Sequence, residues 1–122
     1  MKLLVAVGLL LGSATASAMA QAKPVEKWEC RDYVADDWKN ILVKATVDSG
    51  RETGTISVAG VEQKTHFAVE GFNRRWDWGT SPSGGARFTF AITPDGTGRY
   101  YDFSGGETHL EKANDVMKCR QR

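Results

Sequence analysis

Residues 87–103, RFTFAITPDGTGRYYDF, carry the clearest structural signal in the chain. Before the proline, apolar Phe88, Phe90 and Ile92 alternate with Arg87, Thr89 and Ala91, and this period of two predicts a strand with one apolar face. The PDGTG segment at 94–98 predicts a turn, because proline presets φ, aspartate caps the turn and glycine tolerates positive φ. Alternation resumes at 99–103, so the whole stretch predicts a β-hairpin.

The same period of two extends outward from this hairpin in both directions. Glycine-rich turns separate short alternating segments, which is typical of an antiparallel sandwich or barrel. The predicted segments are residues 25–33, 41–48, 53–59, 63–70, 75–78, 87–93, 99–103 and 116–119. We therefore expect an all-β fold, a small antiparallel β-barrel or closed sandwich of seven to eight strands, in one domain over residues 21–122.

The alternation also predicts which side chains form the core, since one parity of each strand faces inward. The side chains expected to be buried are Val43, Val47, Ile56, Val58, Phe67, Val69, Phe88, Phe90, Ile92 and Tyr101.

The first twenty residues have the layout of a secretory signal peptide. Lys2 precedes an apolar run over residues 3–11, and a small-residue tract follows. The run is shorter than the roughly 20 residues that span a bilayer. Cleavage is expected after Ala20 or after Ala22. We therefore expect a signal peptide over residues 1–20 and a periplasmic or secreted protein without a stable membrane anchor.

Two cysteines, Cys30 and Cys119, lie near the two ends of the remaining chain. In an oxidising compartment an even pair is most simply a disulfide. Neither a C-x-x-C motif nor a histidine at ligand spacing accompanies them, which disfavours a metal site. The sequence predicts a Cys30–Cys119 disulfide that closes nearly the whole domain.

Charge and motifs disfavour several classes of function. The chain has a formal net charge of +1, and removing the leader with its single Lys2 leaves zero. That balance gives no long-range attraction to nucleic acid. The two histidines, His66 and His109, adjoin no nucleophile signature, and there is no phosphate-binding or dinucleotide motif. We expect a non-catalytic protein with no catalytic residue, no cofactor, no metal and no nucleic-acid partner.

The most unusual composition lies at residues 71–88, GFNRRWDWGTSPSGGARF. Trp76 and Trp78 share one face of a strand, and burying an indole is more favourable than exposing it. We expect both tryptophans to be structural. The expected partner-binding residues are the arginines around them, the small residues that follow and one tyrosine of the next hairpin, namely Arg74, Arg75, Arg87, Ser81, Ser83, Gly84, Gly85 and Tyr100. Residues 81–85 are expected to form an exposed, mobile loop.

Several short motifs resemble those of the small exported bacterial inhibitors of c-type lysozyme. That family has an aromatic-x-Cys start, matched by Trp28-Glu29-Cys30, and a closing cysteine. Its mid-chain Ser-Gly-x-x-aromatic loop corresponds to residues 83–88, with one extra residue here. Its aromatic-x-Lys-Gly turn corresponds to Phe103-Ser104-Gly105-Gly106, where glycine replaces the lysine. In the family, the serine loop and this lysine occupy the active-site cleft of lysozyme.

The resemblance implies a small, disulfide-closed β domain that binds a protein partner in the cell envelope. We expect a periplasmic binding protein that inhibits a lysozyme-like muramidase by inserting residues 81–85 into its cleft. Two alternatives remain open at this point. One is an accessory or structural component of an envelope assembly that docks through the RRWDW strand, and the other is a small-ligand carrier with a hollow barrel.

Overall fold

The computed structural model describes residues 23–105 and 112–122. Its regular structure consists of eight β-strands that form one closed antiparallel barrel in chain order. The strands are β1 (Pro24–Asp32), β2 (Val43–Asp48), β3 (Thr53–Val58), β4 (Val61–Glu70), β5 (Asn73–Trp78), β6 (Phe88–Ile92), β7 (Thr97–Asp102) and β8 (Asp115–Gln121). This confirms the expected all-β barrel. The expected signal peptide, both cleavage positions and Gly106 lie outside the described residues.

The β6–β7 hairpin that the sequence predicted is present, with its turn at Thr93–Thr97. Gly96 has φ 86° and donates its N–H to the carbonyl oxygen of Thr93 at 2.9 Å. The Asp95 side chain accepts a hydrogen bond from the Thr97 N–H at 3.0 Å. Aspartate and glycine therefore have the roles that the turn chemistry assigns to them.

Pairing of β1 with β8 closes the barrel, and the disulfide lies within that pairing. Cys30 is directly opposite Cys119, with their Cα atoms 4.0 Å apart and the two sulfur atoms bonded. The predicted disulfide is confirmed. Because the two residues are 89 positions apart, the bond joins the first strand to the last.

Aromatic side chains fill the centre of the barrel. Trp76 is fully buried, and its ring contacts those of Phe67 and Phe90, with centroids 5.1 and 6.1 Å away. The indole Nε1 donates to the Thr46 carbonyl oxygen at 2.8 Å, so its one polar group is satisfied. The structural role expected of Trp76 is thus confirmed, and Trp78 is half-buried beside this core.

Two glycines make this packing possible because backbone and side chains approach them closely. A Cβ on Gly54 would lie 2.0 Å from the Thr46 carbonyl oxygen, the atom that accepts the Trp76 hydrogen bond. A Cβ on Gly98 would lie 2.6 Å from the Cys119 sulfur and 2.8 Å from the Phe90 ring. Both distances are too short for any side chain.

Seven of the ten expected core residues are buried, and three are not. Val58 is 39 % exposed and Val69 is 57 % exposed, while Phe88 is only partly buried. All three lie close to strand ends, where the barrel interior opens to solvent even though the parity is inward. Tyr101 is buried on the outer face, stacked on Phe103, rather than inside the barrel.

The outward residues of β6 are correct in parity but not all exposed. Thr89 lies on the outer face between its strand partners Asp77 and Tyr101, yet it is completely buried. Its hydroxyl donates to Asp77 Oδ1 at 2.5 Å. Outward parity therefore does not guarantee exposure where the outer face is itself packed.

Replacing Phe90 with alanine tests the interior register. We expect Phe90→Ala to lower the free energy of unfolding by roughly 3 to 5 kcal/mol, since the ring is 1 % exposed and leaves a cavity at the barrel centre. Phe72→Ala is the matched control because Phe72 is 84 % exposed, and we expect a change within about 0.5 kcal/mol. Chemical denaturation measures both, and equal losses would contradict the register.

Replacing both cysteines with alanine tests the contribution of barrel closure. The chain-entropy account predicts a loss of roughly 4 to 5 kcal/mol for a loop of this length. Urea denaturation of Cys30→Ala/Cys119→Ala against the oxidised protein measures it. A loss below about 1 kcal/mol would mean that closure rests on strand pairing and the core alone.

Candidate functional site

The serine loop, residues 79–87, connects β5 to β6 at one end of the barrel. The Ser81 N–H donates to the Gly85 carbonyl oxygen at 2.8 Å, and the Gly84 N–H donates to the Ser81 carbonyl oxygen at 3.0 Å. The hydroxyl oxygens of Ser81 and Ser83 lie 2.9 Å apart. The loop is therefore a hydrogen-bonded turn with a defined shape.

This geometry corrects part of the sequence-based expectation. Ser83, Gly84 and Gly85 are exposed as expected, but Ser81 is only 5 % exposed. Its backbone and hydroxyl hold the turn together, so Ser81 gives the loop its shape. Residues 81–85 were all expected to be exposed, and for Ser81 this was wrong, because a small polar residue can be buried when it forms the hydrogen bonds of a turn.

Arg87 joins the serine loop to the segment that follows β7. Its Nε donates to the Ser104 hydroxyl oxygen at 2.9 Å, and its carbonyl oxygen accepts the Phe103 N–H at 2.7 Å. Ser104 in turn donates both its hydroxyl and its N–H to Asp102 Oδ1, the N–H at 2.9 Å. These hydrogen bonds from Ser104 hold the pKa of Asp102 below its ordinary value. Residues far apart in sequence thus form one connected surface.

Tyr100 lies beneath this surface in a cluster of aromatic rings. It stacks on Phe88 at 6.2 Å between centroids and contacts Trp78 at 6.4 Å. The Arg87 guanidinium lies over the Phe88 ring at 5.2 Å. Burial raises the pKa of Tyr100, and the negative charge of Asp102 acts in the same direction. The ring supports the site from below, so Tyr100 is half-buried rather than displayed.

Arg74 lies at the other end of the barrel, contrary to the expectation that it joins the site. It faces Ile92, next to the β6–β7 turn, and forms a two-point ion pair with Glu26. Its Nε and Nη2 lie 2.6 and 3.0 Å from the Glu26 carboxylate oxygens, and its guanidinium lies over Trp28. Arg74 is therefore committed to a structural contact.

Glu26 explains why Arg74 is held at that end of the barrel, and its role was not expected from the sequence. It shares the inward parity of Trp28 and Cys30, and its side chain is 5 % exposed. An unpaired buried carboxylate is costly, so it recruits Arg74, Arg51 and the Trp28 indole N–H. A glutamate at an inward position was the signal that could have identified these partners.

Arg75 is also bonded to carboxylates, in this case on the outer face of the barrel. Its Nε lies 3.0 and 3.1 Å from the two Asp77 carboxylate oxygens, and its Nη1 lies 3.2 Å from Glu70. Asp77 additionally accepts the Thr89 hydroxyl. Of the three arginines expected to bind a partner, only Arg87 lies beside the serine loop.

A groove of about 680 Å³ separates the serine loop from β4. Gly84, Gly85 and Ala86 line one side, Lys64 and His66 line the other, and Trp78 also contributes. His66 is paired across the strands with Asp77, whose carboxylate is already bonded to Arg75 and Thr89. That arrangement provides a shaped recess beside the loop but no nucleophile activated by a neighbouring base.

Comparison with known proteins adds no relative to this geometry. No family model, no curated protein and no solved structure matches the chain. In residues 23–105 and 112–122, no group of three or more His, Cys, Asp or Glu side chains is arranged to hold a metal ion. Within the same ranges, no helix is long and apolar enough to cross a membrane.

The Glu26 cluster predicts a specific pH dependence of stability. Hydrogen bonds from Arg74 lower the pKa of Glu26 from 4.5 to about 2, assisted by Trp28 and Arg51 and opposed by burial. Because the folded pKa lies below the unfolded one, this stabilisation is complete above about pH 4.5 and disappears as the pH falls towards 2. The shift corresponds to about 3 kcal/mol.

We expect the difference in unfolding free energy between wild type and Glu26→Gln to shrink as the pH falls through that window. Glu62→Gln is the control, since Glu62 is an exposed residue of β4 without an ion pair among the described residues. Urea denaturation at a series of pH values measures each difference. A difference that stays constant from pH 5 to pH 2 would contradict the assignment.

Proposed function

We propose that this protein is an exported, non-catalytic binding protein that inhibits a lysozyme-like muramidase by inserting the serine loop into its substrate cleft. Export through a leader at residues 1–20, and a site of action in the periplasm or outside the cell, are part of the proposal. The partner is a protein, and binding requires neither cofactor nor metal.

One observation carries the proposal: the serine loop and the Ser104 turn are joined by the Arg87 hydrogen bonds. The Arg87 Nε and the Ser104 hydroxyl are 2.9 Å apart. In the lysozyme inhibitors that the sequence resembles, the corresponding loop and turn enter the same cleft. Their adjacency here is what that mode of binding requires.

Arg87 also supplies the charge that the mechanism needs. The family has a lysine where this chain has Gly105, so the turn itself carries no cation. Arg87 places an exposed guanidinium beside the neighbouring Ser104 instead. Muramidases of this kind hydrolyse glycosidic bonds with a pair of carboxyl groups, and a guanidinium binds carboxylates with several donors at once. Occupation of those carboxyl groups would block the substrate.

The defined shape of the loop favours binding. A loop already held by the Ser81–Gly85 and Ser81–Gly84 hydrogen bonds has less conformational entropy to lose on association. Its exposed tip, Pro82 to Gly85, has small side chains that can enter a narrow cleft without being immobilised. The Trp78, Phe88 and Tyr100 rings support it from below.

Two observations argue against the alternatives considered from the sequence. A small-ligand carrier requires a hollow barrel, whereas Trp76 and Phe90 occupy its centre at 0 and 1 % exposure. Docking through the RRWDW strand requires a free edge, but β5 pairs with β4 over residues 73–77 and with β6 over residues 74–78. Loop-mediated binding is compatible with both observations.

Purified protein and a c-type lysozyme provide the direct test. We expect the wild type to bind the enzyme in calorimetry and to slow its lysis of a cell-wall suspension. Replacing the loop side chains in Ser83→Ala/Arg87→Ala should weaken binding by at least about 2 kcal/mol, because the charged contact and the loop tip are lost together. The melting temperature should change by only about a degree or two, as for other surface substitutions.

Two further variants sharpen the experiment. Arg99→Ala removes an exposed arginine of β7 away from the serine loop and should leave inhibition unchanged. Gly105→Lys restores the cation that the family carries and should strengthen inhibition. Lysozyme activity that is unaffected by excess wild-type protein would overturn the proposed target. Equal inhibition by wild type and the double variant would overturn the proposed site.

A further inference from the structure

The outer face of β8, β1 and β2 concentrates positive charge on the side of the barrel opposite β5. Strand pairing places Arg120, Glu29 and Lys44 in one row across these strands. Arg31 and Lys118 are directly paired in the row nearer the β1–β2 loop. Lys27 lies in the row nearer the chain ends, where its carbonyl oxygen accepts the Arg122 N–H at 2.8 Å. The outward residues of these three strands, with Arg122 just beyond β8, therefore include six cations, of which Arg31 is buried at 8 % exposure, and two carboxylates, Glu29 and Asp48. We call this surface the cationic face.

Glu29 neutralises only a small part of that charge. Its carboxylate lies 2.5 Å from Arg120 and 3.5 Å from Arg122, and it is 5 % exposed. Arg120 and Arg122 remain 49 and 61 % exposed, so each still presents donors to solvent. The buried carboxylate fixes the arginines without shielding them from a ligand.

Trp38 holds two of the guanidinium groups in place. The Arg120 and Arg31 groups lie 4.3 and 4.7 Å from the centre of its ring, on a loop that returns to this face. Cation–π contacts of this kind orient a guanidinium while leaving its edge free to donate hydrogen bonds. Arg120 is thus pre-organised for a ligand, whereas Arg31 is buried and donates to the carbonyl oxygens of Asp32 and Ala35. The Trp38 ring is occupied by these two protein cations.

The lysines of the cationic face are exposed. Lys27, Lys44 and Lys118 form no ion pair among the described residues, and Lys118 lies over the Tyr33 ring at 5.6 Å. A cleft of about 220 Å³ opens among Lys27, Lys44 and Arg122, and the buried Glu29 also lines it. Such a cleft is smaller than a typical site for a drug-sized ligand, so it suits one acidic group at a time.

From this arrangement we propose that the cationic face binds an acidic polysaccharide chain. Neighbouring strands are about 4.8 Å apart and alternate residues about 7 Å apart, so the cations form a two-dimensional array. Such an array fits a polymer that carries an acidic group on each unit, since successive units can meet successive cations. Once one unit of the polymer has bound, its neighbours meet the remaining cations at a high effective concentration. Several weak contacts therefore add up to a measurable affinity.

The chemistry of the face favours this partner over other polyanions. Single-stranded nucleic acid is bound through aromatic rings on which bases stack, but Trp38 already contacts two guanidinium groups. An anionic membrane surface is usually engaged by inserted apolar side chains together with cations. The paired outward residues of these rows are charged or threonine, and the exposed Tyr33, Val34 and Val116 lie beyond them, at the β1–β2 loop and the start of β8. An acidic sugar chain needs only the exposed donors that this face presents.

The test is binding of the full mature protein to a polygalacturonate of defined length, measured at low and at physiological salt. We expect Lys44→Gln/Lys118→Gln to weaken binding by at least about tenfold and to reduce its salt dependence, because two contacts are removed. Lys64→Gln/Lys112→Gln is the matched control, with the same change of charge on β4 and on the β7–β8 connection. It should weaken binding less than about twofold, as non-contacting charges act only at long range.

Each other outcome overturns the proposal. If wild type does not bind polygalacturonate at low salt, or if both double variants lose affinity equally, the cationic face is not a polysaccharide site. If an oligonucleotide or an anionic phospholipid vesicle of matched charge binds as tightly, the ligand class is wrong. Lysozyme inhibition is measured separately for Lys44→Gln/Lys118→Gln, and it should not change, because the serine loop lies at β5 and β6 on the other side of the barrel.

Discussion

The antiparallel pairing of β1 with β8 is the constraint on which the rest of this structure depends. It turns a row of eight hairpin-connected strands into a closed surface, and the Cys30–Cys119 disulfide fixes it at directly opposed residues. Closure gives the sheet an inside that one tryptophan and its aromatic neighbours can fill. It also brings the Cys119 sulfur so close to Gly98 that no side chain fits there.

Buried carboxylates determine which cations are available to partners. Glu26 and Glu29 are each 5 % exposed, and a buried carboxylate without a partner would be strongly destabilising. Glu26 therefore recruits Arg74 and Arg51, while Glu29 recruits Arg120 and Arg122. Glu26 removes Arg74 from the candidate site, whereas the arginines on Glu29 stay half-exposed. A buried carboxylate thus makes Arg74 unavailable to a partner in one case and orients Arg120 and Arg122 in the other.

The two proposed surfaces differ in how they are built. At the serine loop, hydrogen bonds from Ser81 and Arg87 fix a small protruding shape over an aromatic support, and this suits a cleft. On the cationic face, strand pairing spaces the cations while Glu29 and Trp38 orient the arginines, and this suits a repeating polymer. A rigid closed barrel can carry both because its opposite sides need not change when either is occupied.

The sequence by itself determined the fold class, the β6–β7 turn, the disulfide and most of the core, because these follow from local chemistry. Alternation along one strand assigns Phe90 inward, and Pro94 to Gly96 specify a turn without reference to other strands. It also placed Ser83, Gly84 and Arg87 on one exposed loop. Only the tertiary structure decided that Arg74 and Arg75 form ion pairs with carboxylates. It also decided that Ser81 and Thr89 are buried, whereas Val58 and Val69 are exposed. Each of these depends on which residue lies opposite on another strand, or on how far the residue lies from a barrel end, and neither quantity is encoded in a period of two.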